Sequence, residues 1–582
     1  MEFNPDKYIE ETLSLFSGKS LSLDVIKQFI IFENRHQLHK NAEYKDKYEQ
    51  LFTVIRDNII IPNIQKTALV PFFEDISNLY RLSCADLPPS DRIKHLLTAI
   101  ESSFGSNDQN SRFWLLRAVF LLRTFQNQSY REDFLTRLSY IQSFMCFKSQ
   151  AELNGFAAFM RYHYPDAHEL MSMLLKNVFN DSFSHRSLTE KKAGVMWVVE
   201  IIWNMVHKEH PAHMILMDSW LDIFYKAMKD GDDELAFYMN FPIGHIFLNN
   251  CSEQDCMKVF NEKLEIPFSD YVQANSARWG LSPVTETRHE GKKRLAFVFD
   301  RIIGSSPVKL LISLLNYMRT CDEYELYVYD MAYIEKSESV KEYIDEITAA
   351  GAKYISNHSL INDAHLLHYY SHFNKNMRLR ERITADGIDV LVVTNGRSQA
   401  NFLLSSRSAP LQVYWDHGNH EYDTHGIDRR ISHFDDGYDS GHEVHRFVTI
   451  MLDKYLNPDP ETYRAKADEI RKQLPPHKVV LGSIGRIMKL SDEYLETVAD
   501  ILKQHPDAVY LACGTGPIDE KRQKVKELGI ADRFIFAGWV DSHIYGHVID
   551  IYLNTFPLSG GESVAEFMAK GLDKVLIQHP KG

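Results

Sequence analysis

The sequence predicts an α/β protein in which an all-helical domain, residues 1–285, precedes two Rossmann-like halves, 286–460 and 461–582, facing each other across a cleft. Three observations lead there. Up to about residue 285 apolar residues recur at three and four spacing. After TRHEGKKR (287–294) short apolar strands alternate with helical stretches. The same alternation starts afresh after Pro475-Pro476.

In the helical part, SRFWLLRAVFLLRTFQ (111–126) and KKAGVMWVVEIIWNMVHKEH (191–210) carry the helix period, and Pro88-Pro89, Pro165, Pro211 and Pro242 separate helices. No self-similarity near 34 residues supports a repeat array. The aromatic richness reads as core packing. In the first half, LAFVFD, YELYVYD, AKYIS and DVLVVT read as strands, with helices such as SVKEYIDEITAAG between them. In the second, KVVLGSIG, AVYLAC, RFIFAGWV, DIYLNTF and KVLIQ do the same. The connection between the halves carries His417, His420, His425, His433, His442 and His445.

A length of 582 residues suits about three or four domains. Hydrophobic and charged fractions of 44% and 25% place the chain among globular proteins, and no apolar run reaches the roughly 18 residues of a membrane span. The amino terminus, MEFNPDKYIEETL, is acidic and lacks the apolar core of a signal peptide, so a cytoplasmic location is expected. A net charge of −14 argues against nucleic acid and for small-molecule or protein partners. Six scattered cysteines, with CSEQDC the closest pair, show no zinc spacing and read as reduced, mostly buried thiols.

The stretch NTFPLSGGESVAEFMAKG (554–571) runs from an apolar strand through a turn of small residues into a helix. Backbone N–H groups there suit a phosphate, although an ordinary turn of a doubly wound sheet has the same composition. Lys489 and Arg486, in LGSIGRIMKLSDEYLE after the half's first strand, stand on the same side of the sheet and supply the cation that a diphosphate needs. Glu566, on the helix after the turn, is placed to accept hydrogen bonds from a ribose diol.

Taken in order, APLQVYW (409–415), LGSIGRIMKLS and NTFPLSGGESVAE resemble glycosyltransferase family 41, over about residues 294 to 580. That family holds the protein O-GlcNAc transferases and the cytoplasmic bacterial N-glycosyltransferases that modify high-molecular-weight adhesins; the repeat-free helical domain is more similar to the latter. The resemblance implies a GT-B fold and inverting transfer of a hexose or N-acetylhexosamine from a UDP-sugar to Asn or Ser/Thr of a polypeptide. It implies no metal or other cofactor. By position, Lys489 matches the lysine on the donor diphosphate, and the turn Ser559, Gly560, Gly561, Glu562 and Ser563 matches the phosphate turn. Glu566 matches the acidic ribose ligand, and His543 or Tyr545 matches the aromatic group near uridine.

Two departures stand out. Where the family has His-Pro after its first strand this chain has Ser306-Pro307, which leaves acceptor activation to a candidate such as His420 or His425 in the loop after APLQVYW. Members also continue past IQHPKG, so the second half reads as truncated, with Val575 and Ile577 expected to be exposed. A retaining GT-B enzyme acting on a glycan is one alternative. Its paired glutamates are separated by seven residues, whereas Glu562 and Glu566 are separated by three and the position eight beyond Glu562 is Lys570. A non-catalytic subunit holding a partner glycosyltransferase or an adhesin is another.

Overall fold

The computed structural model describes the chain apart from residues 1–3, 19–22, 65–86, 107, 127, 251–255, 288, 333–337, 361–369, 395–397, 418–420, 434–440, 448–450, 477, 517 and 580–582. Two compact units result, Met1–Ser219 and Trp220–Gly582.

Among its described residues the first unit forms helices and turns with no strand, as the period-3.6 pattern requires. Gln109–Thr124 forms under an Asp108 cap, and Leu188–Met196 under a Ser187–Glu190 capping box before running into a π-helical stretch, Trp197–Val206. Its aromatic residues are core: Phe113, Phe156 and Trp197 pack ring to ring around the buried Arg117 guanidinium.

The unit boundary falls well before residue 285. Helices Asp233–Asn249 and Ile266–Asn275 are helical as expected but belong to the second unit. The reason is side-chain satisfaction. Phe237 packs on Phe373 and Phe402, and the buried Glu265 carboxylate accepts from Asn401 at 2.7 Å and from Tyr422 at 2.8 Å. Cys256 is disulfide-bonded rather than reduced. Cys146 and Cys513 are free and buried, and Cys321 is free but exposed.

The second unit holds two parallel sheets. The first comprises β1 (Lys293–Phe299), β2 (Tyr324–Asp330), β3 (Lys353–Ser356), β4 (Val390–Val393), β5 (Leu411–Asp416), β6 (Arg429–Ser432) and β7 (Val444–Arg446), in the order β3-β2-β1-β4-β5-β6-β7. The second comprises β8 (Val479–Ile484), β9 (Ala508–Cys513), β10 (Phe534–Gly538), β11 (Ile551–Leu553) and β12 (Val575–Ile577), in the order β10-β9-β8-β11-β12. This is the two-halved GT-B arrangement. Central strands are apolar runs because helices cover both faces; Ala296–Phe299 and all of β9 are buried. β6 and β7 fall in the histidine-rich connection, where strands were not expected. At the sheet edge β12 leaves Val575 and Ile577 47% and 49% exposed, as anticipated.

In each half the order reverses beside the first strand, between β1 and β4 and between β8 and β11, and ligands of open α/β sheets bind at such switch points. Next to the second switch point, on the β9 side of β8, the loops after β8 and β9 come together. Gly514 has φ +155°, and a Cβ on it would lie 1.7 Å from the Gly485 carbonyl oxygen, four residues before Lys489. Gly514→Ala is therefore expected to cost about 2 kcal/mol or more and to lower the melting temperature of the second unit in scanning calorimetry. Gly105→Ala, with open space around it, serves as the control; equal melts for the two variants would contradict this packing.

Candidate functional site

The second half's switch point is formed by the loop after β8, which ends in the short turn Ile487–Lys489, and by the segment after β11 that enters the helix Glu562–Met568. Lys489 reaches across it, donating from Nζ to the Ser559 carbonyl at 2.5 Å. Burial, with Arg486 alongside, lowers the Lys489 ammonium to about 8 against the opposing pull of Glu562. Arg486 is exposed and donates to Asn249 Oδ1 at 3.2 Å.

The turn is internally tied. Gly560 N–H donates to Asn554 Oδ1 at 2.7 Å, so that donor is already engaged. Ser563 Oγ donates to the Gly560 carbonyl at 2.8 Å and lies 3.0 Å from the Tyr552 hydroxyl. Gly561, at φ +59° and ψ −133°, makes the bend into the helix in a region that side chains disfavour.

Glu562 departs from the backbone-only role expected of it. Its carboxylate points into the first half, accepting from His433 Nε2 at 3.1 Å and standing 3.9 Å from His417 Nδ1. Trp415 Nε1, which only donates, bonds His433 Nδ1 at 3.1 Å, so the His433 proton resides on Nε2 and is directed at Glu562. Burial would raise the Glu562 carboxyl, but the two imidazoles beside it, His417 close by and His433 in hydrogen-bond contact, outweigh it and the pKa falls to about 2. Burial lowers the His417 imidazole as well, more than Glu562 raises it, so that ring is neutral at neutral pH. Of the two contacts, the His433 bond at hydrogen-bond distance is the firmer. The three side chains have donor atoms within 4.8 Å of one another, a spacing that suits a divalent cation. The Trp415 bond opposes that use, because it keeps a proton on the His433 nitrogen nearest the centre.

Glu566 is buried on the same helix. Lys309, from the first half's helix Ser306–Met318, lies 3.3 Å from one carboxylate oxygen, and Ser542 Oγ donates to the other at 3.2 Å. Lys570 donates to the Leu456 carbonyl and, at 2.9 Å, to His543 Nδ1. Burial lowers Lys570 to about 8; burial and Lys570 together lower His543 to about 4.

The structure thus brings together Lys489, Ser559, Gly560, Gly561, Glu562 and Ser563, with Glu566 one turn further on. His543 lies on the flank of that helix. Tyr545 sits half-buried in Ser542–Val548, with no hydrogen bond to the turn among the described residues. His425 is not brought to the site: the chain beyond β5 returns to the helix Ile266–Asn275, where His425 Nε2 meets Asp270 at 2.7 Å. His420 lies outside the described residues. Sequence reasoning passed over Lys309, His433 and His417. Only His417, directly after the APLQVYW strand, carried a local signal.

No family model and no curated protein sequence matches the chain. Among solved structures, it is similar to a mutant O-GlcNAc transferase from Thermobaculum terrenum, with 16% identity, TM-score 0.42, and 83% of this chain and 82% of that one covered. It is also similar to Anabaena HepE in complex with UDP and glucose, at 14% identity and TM-score 0.34, over 50% and 82% of the two chains. A third is the lipopolysaccharide outer core galactosyltransferase WaaB, at 15% identity and TM-score 0.32, over 49% and 80%.

Glu562 is charged and held in the fold at a pKa below its unfolded value near 4.5, so its contribution is complete above pH 4.5 and is lost as pH falls toward 2. Glu562→Gln is expected to lose about 3 kcal/mol at pH 7 and to flatten that part of the acid stability profile. Denaturant melts from pH 7 to 3 check this; a variant running parallel to the native protein throughout would refute it.

Proposed function

We propose that this chain is a UDP-sugar-dependent glycosyltransferase that moves a hexose or N-acetylhexosamine to an Asn or Ser/Thr side chain of a polypeptide, with inversion. The observation that carries this reading is the pairing of Lys489 with the 559–563 segment at the β8/β11 switch point, a cation and a small-residue turn at the place where open α/β sheets bind ligands. Lys489 would neutralise the diphosphate and stabilise the leaving UDP without a metal. Glu566 would exchange Lys309 and Ser542 for the ribose hydroxyls.

The resemblance to the N-glycosyltransferases of family 41 makes an adhesin the acceptor of this proposal. A cytoplasmic setting belongs to it too, with the Cys256 disulfide as the observation against. Among the described residues no helix is long and apolar enough to cross a membrane. The retaining alternative is disfavoured because Lys570, at the second glutamate's spacing, is committed to Leu456 and His543. A non-catalytic partner subunit is favoured by one observation, that both Glu566 oxygens are already engaged.

Calorimetry with UDP separates these readings. The native protein should bind UDP, and Lys489→Ala should lose a charge-assisted contact of roughly 1.5 to 3 kcal/mol, about tenfold or more in affinity. Unchanged UDP affinity in the variant would make Lys489 a loop lysine, and no binding by the native protein would favour the scaffold.

A further inference from the structure

His417 is the first residue beyond β5 and Glu562 opens the helix after β11, so both stand at the carboxyl ends of their sheets. The His417 side chain is only 5% exposed, yet neither ring nitrogen has a hydrogen-bond partner among the described residues. Buried polar groups left unsatisfied are uncommon and call for a functional explanation. From the other side, the Trp415–His433 pair fixes the Glu562 carboxylate. A short movement closing the 3.9 Å gap would let His417 donate from Nδ1 to Glu562, leaving the Nε2 lone pair as an acceptor.

We propose that His417 is the general base of the reaction, oriented by Glu562 in a carboxylate–imidazole dyad whose carboxylate is positioned by His433 and Trp415. This rests on the glycosyl-transfer reading above. The acceptor N–H or O–H gives its proton to His417 Nε2 while its lone pair bonds the anomeric carbon. The bond from that carbon to the β-phosphate oxygen breaks, and its electron pair leaves on UDP. The proton then passes to solvent. Glu562 stays anionic and stabilises the transient imidazolium. His433, Glu562 and Asp416 act electrostatically on His417, and Lys489 is coupled to Glu562, so the ring titrates in a field of mixed sign. Its neutral resting state leaves it competent to accept a proton.

Two measurements on the full chain test this. In protein labelled with 13C-histidine, the His417 signal, assigned by its loss in His417→Gln, should report a neutral ring protonated on Nδ1 at pH 7. A proton on Nε2, or an imidazolium, overturns the dyad. UDP release from UDP-glucose, UDP-galactose and UDP-N-acetylglucosamine, with water as acceptor, should fall at least about 100-fold in His417→Gln while UDP affinity by calorimetry stays within about threefold. A smaller loss overturns the proposal, as does a native protein that binds UDP but releases none from any donor. One zinc ion per chain, lost in His417→Gln, would replace the dyad with a metal site. If the native protein binds no UDP, the glycosyltransferase reading fails, and the tautomer still decides whether the dyad exists.

Discussion

The carboxylate of Glu562 is held charged where the carboxyl ends of two parallel sheets meet, and the surrounding site is arranged about that charge. A carboxylate with 18% of its side chain exposed is costly unless hydrogen-bonded. Here the donors come from the other half, through an imidazole whose tautomer is set by a buried indole. Lys309 and Glu566 repeat the device one helical turn away. The helix that carries the expected nucleotide ligands is thus also an element that binds one half to the other.

The lysines of this seam are placed with unusual economy. Lys489 and Lys570 are both buried enough for their ammonium groups to fall to about 8, and both spend hydrogen bonds on backbone carbonyls. In a chain of net charge −14, Lys489 and Lys570 are desolvated cations set beside the carboxylates of Glu562 and Glu566. Such cations gain most from a compact anion that replaces the water they have lost. That is the electrostatic case for a diphosphate at this corner, and it does not depend on any likeness to other folds.

How much of this could be read from the sequence depends on range. The strands from LAFVFD to KVLIQ were legible because buried parallel strands are continuous apolar runs, and Lys489 was paired with the 559–563 turn because each directly follows such a run and the turn is built of small residues. β6 and β7 were not, because RRIS and VHR are short and polar and pair only at the sheet's margin. The unit boundary was missed because helix period is the same whether a helix serves one core or another; Glu265 and Phe237 decide it through partners more than a hundred residues away. The outward aim of Glu562 was likewise invisible, since it depends on His433, 129 positions distant. His425 misled for the converse reason: closeness in sequence to the APLQVYW strand did not survive the chain's return to Asp270.

Everything proposed for this site turns on a nucleotide diphosphate lying at the β8/β11 switch point. Amide hydrogen exchange with and without saturating UDP addresses it most directly, since it reads every segment of the chain at once. Bound UDP should slow exchange only in the peptides covering 485–490 and 554–566, with the helices of Met1–Ser219 unaffected. Protection centred elsewhere, or none at these two segments despite UDP being bound, would contradict it.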